Sequence, residues 1–207
     1  MKYKKFITFE GGEGSGKSTQ IKLLAKKIEQ IDSVCLTREP GGTKSAEEIR
    51  KLLVRGKIDK WSSISELLLL FAARKDHIDK LILPSLKANK WVLCDRFVDS
   101  TYVYQGMCGK TPIEVIKKIE TIIIGQFKPR LTFLINLDPK VGLERSKRPG
   151  NKDLRYENMD IKFHRKVHKS YLKLASLNKQ RIVIIDGSKS VVDIENQIWK
   201  KVKDKIL

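Results

Sequence analysis

Five short runs along the chain are largely apolar, and the stretches between them repeat their apolar residues at helical spacing. The runs are Phe6-Ile7-Thr8-Phe9, Val34-Cys35-Leu36-Thr37, Trp91-Val92-Leu93-Cys94, Leu131-Thr132-Phe133-Leu134-Ile135-Asn136-Leu137 and Arg181-Ile182-Val183-Ile184-Ile185. Unbroken rather than alternating apolar character marks strands covered on both faces, as in a parallel sheet. Between them, Ser45-Ala46-Glu47-Glu48 and Ser63-Ile64-Ser65-Glu66 each place a glutamate three residues after a serine, the pattern of a capping box. The stretch 157–174 aligns Phe163, Val167, Tyr171 and Leu174 along one helical stripe. This alternation predicts an α/β fold in three layers, a parallel sheet of about five strands flanked by helices and joined by right-handed crossovers. No repeat or linker divides the chain, so residues 1–207 are expected to form a single domain.

Composition narrows the class. At 207 residues, 41% hydrophobic and 32% charged, the chain has the makeup of a globular domain rather than a disordered segment. Its longest apolar run, residues 67–73, is far below the roughly 20 residues that span a bilayer. No signal peptide is expected in the basic start Met1-Lys2-Tyr3-Lys4-Lys5, which runs straight into a strand. Cys35, Cys94 and Cys108 fit neither complete pairing nor a zinc spacing, so reduced thiols in the cytoplasm are expected. A formal charge of +19 is compatible with a nucleic-acid partner or with polyphosphate ligands. The lysines are scattered, as at Lys26-Lys27, Lys117-Lys118 and Lys200-Lys201, which favours solvated helix faces over a nucleic-acid tract.

The chemistry begins at Gly11-Gly12-Glu13-Gly14-Ser15-Gly16-Lys17-Ser18-Thr19, a G-x-x-x-x-G-K-[ST] loop between a strand and a helix carrying Ile21, Leu24, Ala25 and Ile28. Its glycines let backbone N–H groups converge on phosphates, and the helix N-terminus adds its dipole to the same anion site. Lys17 is expected to meet the β- and γ-phosphates of ATP, and the Ser18 hydroxyl a Mg²⁺ ion. Arg38, Arg74 and the pair Asp95-Arg96 stand at or near the ends of other elements. Ligands of open α/β sheets lie at the carboxyl ends of strands, so these charges are expected on the loop's side.

Several further segments carry a resemblance: Phe9-Glu10-Gly11, Thr37-Arg38-Glu39-Pro40-Gly41-Gly42, Glu47-Glu48-Ile49-Arg50, Phe71-Ala72-Ala73-Arg74, Asp95-Arg96 and Tyr104-Gln105-Gly106. In order and spacing, over residues 5 to about 205, the chain resembles bacterial thymidylate kinases. The resemblance implies a P-loop nucleoside monophosphate kinase fold and transfer of the ATP γ-phosphoryl group to dTMP. It implies that Arg74 and Arg96, helped by Arg50, hold the acceptor phosphate, and that Glu13 and Glu39 lie near its sugar and the metal. Thr101 and Gln105 would face thymine, Tyr104 would crowd the sugar edge, and Asp95 would act around Mg²⁺ through water. A lid at about residues 145–156, rich in basic residues, would close over ATP with Arg145 and Arg148, the latter catalytic with Lys17 and Arg96. The P-loop has no arginine between Gly11 and Lys17, which eukaryotic members carry, and this shifts weight to the lid. Family members also tend to dimerise through helices packed face to face.

One position departs from the family pattern. The thymine-stacking phenylalanine is expected four residues before the helix arginine, where Leu70 stands, while Phe71 lies about 100° around the helix. Either side chain is therefore a candidate for the base contact. His77, His164 and His168 fall outside the motifs and are expected to be exposed or partly packed. A deoxynucleoside kinase or another P-loop small-molecule kinase is the alternative reading, and a nucleotide-dependent nucleic-acid binder a more distant one.

Overall fold

The computed structural model describes residues 3–56, 59–146, 156 and 159–207. All five apolar runs form strands: β1 (Phe6–Glu10), β2 (Val34–Arg38), β3 (Trp91–Asp95), β4 (Leu131–Asn136) and β5 (Ile182–Asp186). They pair in parallel throughout, in the order β2-β3-β1-β4-β5. The central strand is therefore the one that leads into the phosphate-loop motif. Register sets Phe9 beside Asp95 and Glu10 beside Leu134, so the ends of three strands meet at one edge of the sheet.

Helices cover both faces. On one lie α1 (Lys17–Glu29) and α9 (Val191–Lys205), packed on Ile7, Phe9, Trp91, Leu93, Leu131 and Phe133. On the other lie α3 (Ser63–His77), α6 (Ile113–Ile123) and α8 (Ile161–Leu177), packed on Phe6, Val92, Cys94 and Leu134. Alternate residues of each strand thus feed opposite cores, which is why the runs are apolar throughout. The remaining helices are α2 (Lys44–Val54), α4 (Leu83–Lys87), α5 (Val98–Thr101) and α7 (Pro139–Ser146). A π-helical stretch, Ile78–Ile82, joins α3 to α4, and another, Tyr102–Met107, continues α5.

The helix starts differ from those expected. Thr43 rather than Ser45 caps α2, its hydroxyl accepting from Ala46 N at 3.2 Å. Ser62 rather than Ser63 caps α3, accepting from Ser65 N. Neither glutamate of the expected boxes, Glu48 or Glu66, stands three residues after the observed cap. Glu47 reaches back to Gly42 N and Arg38, and Glu66 turns into the interior. The stripe on α8 is as expected, but the helix begins at Ile161, where the Asp160 carboxylate accepts from Phe163 N at 2.7 Å. Positive charge is gathered on the outer face of α8, where Lys162, Arg165, Lys166, Lys169 and Lys173 recur at helical spacing.

Phe133, at the middle of β4, is fully buried and packs 5.3 Å from Phe9. Phe133→Ala should remove about 3–5 kcal/mol of stability, read as a shift in the urea midpoint. Leu177→Ala, at a side chain 70% exposed, should leave that midpoint unchanged.

Candidate active site

The phosphate loop follows β1 in backbone conformations that its glycines permit. Gly11, Gly14 and Gly16 have φ of 144°, 63° and 95°. A Cβ on Gly14 would lie 1.9 Å from the carbonyl oxygen of Gly142 in α7, so this turn accepts no side chain. Lys17 folds over the loop, donating to the carbonyls of Gly12 at 2.8 Å and Gly11 at 3.1 Å. Burial lowers its pKa, as does the nearby Arg96, against the pull of Asp95 and Glu13. The next residue, Ser18, donates through Oγ to Asp95 Oδ2 at 2.9 Å, bringing together the two residues expected near the metal. A hydroxyl and a carboxylate are hard oxygen donors of the kind Mg²⁺ takes, with phosphate oxygens and water completing its shell.

Beside the loop is a cavity of about 240 Å³, and Glu13, at the tip of the loop, forms part of its wall. Every acceptor-site residue expected from the sequence lines it except Phe71. Arg96 stands at one end, with Nη2 donating to Glu13 Oε1 at 2.7 Å and Nη1 to the hydroxyls of Ser100 and Tyr171. Its guanidinium lies 5.3 Å from the ring centre of Tyr104, whose hydroxyl also donates to Glu13. Although burial pushes Glu13 up, Arg96 and Lys17 outweigh it and hold this carboxyl below its ordinary value. Arg96 has a φ of 67°, unusual outside glycine.

A second cation, Arg74, is buried at 3% exposure. Its Nε donates to Glu39 Oε2 at 2.7 Å and its Nη2 to Thr101 Oγ1 at 3.0 Å. The rings of Phe71 and Phe97 lie 4.9 and 5.4 Å from the guanidinium. Nη1 is buried and has no hydrogen-bond partner among the described residues. Arg74 lines the cavity, and a buried donor without a partner there is a candidate contact for a ligand oxygen. Arg50 Nη1 donates to the carbonyl of Pro40, which follows Glu39 through a cis peptide bond. Farther in, the Gln105 amide donates to Glu66 Oε1 at 2.8 Å and to the Tyr156 hydroxyl at 2.9 Å.

Two neighbouring helix positions are placed differently. Leu70 lines the cavity, whereas Phe71 is 1% exposed, belongs to the core and backs Arg74 from behind. Of the two candidates for the base contact, Leu70 is the one placed at the cavity and Phe71 is set in the core behind it. Arg145 is exposed in the last turn of α7, and Arg148, with most of the expected lid, lies outside the described residues. His77 and His164 are buried, not exposed or partly packed, while the half-buried His168 bonds Asn136 through Nε2.

Sequence reasoning missed Glu66 and Tyr156 in the cavity and Glu10 beneath it. Glu66 reads as a capping residue, and no local pattern marks Tyr156. Glu10 ends β1, 1% exposed, where its carboxylate accepts from Phe97 N, the Ser100 hydroxyl and the Tyr171 hydroxyl at 2.6–2.9 Å. These bonds fix the backbone directly after Arg96. The clue was a glutamate ending an otherwise apolar strand, a residue type almost never fully buried unless it is paired.

A phosphate loop and an arginine-lined acceptor cavity at the carboxyl edge of one parallel sheet, in the order 2-3-1-4-5, define a P-loop nucleoside monophosphate kinase. Comparison with known proteins narrows this further. The family model described as "Thymidylate kinase" matches residues 9–198. The thymidylate kinase of Caulobacter vibrioides is 46% identical over 183 residues, 88% of each chain. That of Bradyrhizobium sp. strain ORS 278 is 42% identical over 205 residues, 98% of this chain and 91% of the relative. The crystal structure of thymidylate kinase from Ehrlichia chaffeensis superposes with a TM-score of 0.79 at 34% identity, covering 95% of this chain and 97% of the other. The chain belongs to the thymidylate kinase family.

Burial first, and then the charge of Asp99, push Glu10 up from 4.5 to about 7, against Arg96 and its hydrogen bonds. Between those values the folded protein keeps a proton that the unfolded chain has released. The stability linked to this group is therefore full below pH 4.5 and lost as pH rises through about 7. Glu10→Gln, which keeps the amide-sized shape, should flatten the change in urea midpoint between about pH 5 and about 7.5. Parallel curves for the two proteins would show that Glu10 does not titrate in this window.

Proposed function

We propose that this protein catalyses transfer of the γ-phosphoryl group of ATP to dTMP, giving dTDP and ADP. The observation that carries this reading is the Arg96–Glu13 bond, which joins the acceptor cavity directly to the phosphate loop. Donor and acceptor anions would then meet end to end at one edge of the sheet.

In this reading the loop amides and Lys17 cradle the ATP phosphates, and Lys17 exchanges its bonds to the Gly11 and Gly12 carbonyls for phosphate oxygens. Arg96 and Arg74, with Arg50, take the dTMP phosphate, the open Nη1 of Arg74 supplying a ready donor. An oxygen of the dTMP phosphate attacks the γ-phosphorus while the bond to the ADP oxygen breaks. That oxygen is already largely deprotonated near neutral pH, so no strong general base is needed. The cations offset repulsion between the two anions and stabilise the charge spread over the transition state. Ser18 and Asp95, directly or through water, would hold Mg²⁺, which when bound neutralises charge on the β- and γ-phosphates. Arg145 and Arg148 would add cations over ATP from the lid segment. Thr101, Gln105, Glu66 and Leu70 would surround the base, and Tyr104 and Glu13 the sugar.

We further infer a cytoplasmic homodimer. The three cysteines are free, and apolar side chains stand exposed on α2, α3 and α6 at Leu52, Ile64, Leu68 and Ile122. Among the described residues no helix is long and apolar enough to cross a membrane.

With ATP and Mg²⁺, dTMP should be phosphorylated faster than dUMP, GMP or thymidine; faster turnover of thymidine would make the chain a nucleoside kinase instead. Lys17→Ala and Arg96→Ala should each lower kcat by at least about 100-fold while the circular dichroism spectrum stays that of the folded protein. Leu70→Phe should restore a ring against the base and lower the KM for dTMP by about fivefold, the equivalent of ~1 kcal/mol of stacking. An unchanged KM would place the base away from α3.

A further inference from the structure

We propose that His77 is a positioning residue for the acceptor-phosphate arginine: it orients Glu39, and through Glu39 sets the direction in which Arg74 presents its free N–H. The inference rests on the acceptor reading given above. His77 is fully buried at the end of α3, three residues after Arg74, and does not line the cavity. Its two ring nitrogens are both engaged. Nδ1 lies 3.2 Å from Glu39 Oε1, and Nε2 lies 2.6 Å from Thr37 Oγ1. A carboxylate oxygen accepts, so Nδ1 carries a proton, and Nε2 pairs with the threonine hydroxyl, which can donate or accept.

The other oxygen of Glu39 accepts from Arg74 Nε, whose Nη2 in turn donates to Thr101. The result is an unbroken line: Thr37, His77, Glu39, Arg74, Thr101. Within it, Glu39 has one oxygen for the imidazole and one for the guanidinium. Without the imidazole the carboxylate keeps a single charged partner and is free to turn toward both ends of the guanidinium fork. Such a turn would engage or displace Nη1, which has no hydrogen-bond partner among the described residues.

Three positions of one sequence motif converge on the imidazole. Thr37 and Glu39 bond its two nitrogens. Gly42, at φ 92°, packs so closely that a Cβ there would lie 2.4 Å from Nε2 and 2.5 Å from Thr37 Oγ1. A histidine that merely filled core volume would not require a threonine hydroxyl, a carboxylate and an absent side chain on its surface. The Thr37-Arg38-Glu39-Pro40-Gly41-Gly42 turn is thus built around His77 as well as around the ligand.

The test compares His77→Phe, which keeps the ring and removes both polar contacts, with His77→Asn, whose amide can still donate to Glu39 from near the Nδ1 position. In steady-state assays His77→Phe should raise the KM for dTMP about tenfold, in line with loss of a hydrogen bond to a charged group, and leave the KM for ATP unchanged. His77→Asn should recover most of that loss. Thr37→Val, which keeps the shape of the side chain, reports on the far end of the line if His77→Phe does not fold; it should raise the KM for dTMP about threefold at constant KM for ATP. Parallel increases in both KM values, equal losses in the Phe and Asn variants, or a wild-type KM for dTMP in His77→Phe or in Thr37→Val would overturn the proposal. If the wild-type protein itself fails to phosphorylate dTMP in the same assay, the reading of the acceptor falls, a result distinct from any of these.

Discussion

Mutual repulsion among cations that must share one cleft is the constraint around which this molecule is arranged. Lys17 and Arg96 stand close enough for the arginine to depress the lysine, and Arg74 lies in the wall of the same cavity. In the absence of ligands such a cluster would tend to splay apart. Each member is instead tied to oxygens already built into the fold: loop carbonyls for Lys17, Glu13 for Arg96, Glu39 for Arg74. Phosphate oxygens would replace or supplement these partners, and two of the cations, Arg74 and Arg96, already line the cavity. Preorganisation of this kind lets fixed charge act on a transition state without reorganising around it.

The fold was almost fully legible in the sequence because its signals are local. A parallel strand covered on both faces must be apolar along its length, and five such runs could hardly be anything else. The phosphate loop announces itself because only glycine tolerates the turns at 11, 14 and 16. Helix caps were displaced by one or two residues, since Thr43 and Ser62 are chemically equivalent to the serines that follow them and only the backbone decides between them.

The site was legible where the charge was unusual and opaque where a residue's role depends on burial. Arg50, Arg74, Arg96 and Glu13 could be named in advance, and the structure brings them around one cavity. Leu70 and Phe71 could not be separated, because the phase of α3 within the tertiary packing determines which one faces inward. Glu10, Glu66 and His77 escaped for a common reason. Each is a polar residue whose partners lie far off in sequence, so nothing nearby distinguishes it from a solvated side chain. Glu10 and Tyr171 are 161 residues apart, and His77 and Thr37 are 40 apart.

Arg96 carries a broader consequence. Its left-handed backbone costs an ordinary residue on the order of 1 kcal/mol that glycine would not lose. The surrounding lattice of Glu10, Phe97 and Ser100 keeps it there nonetheless. Glycine would relieve that strain but strip the Glu13 carboxylate of its guanidinium partner, so the awkward backbone and the ion pair it serves stand or fall as one unit.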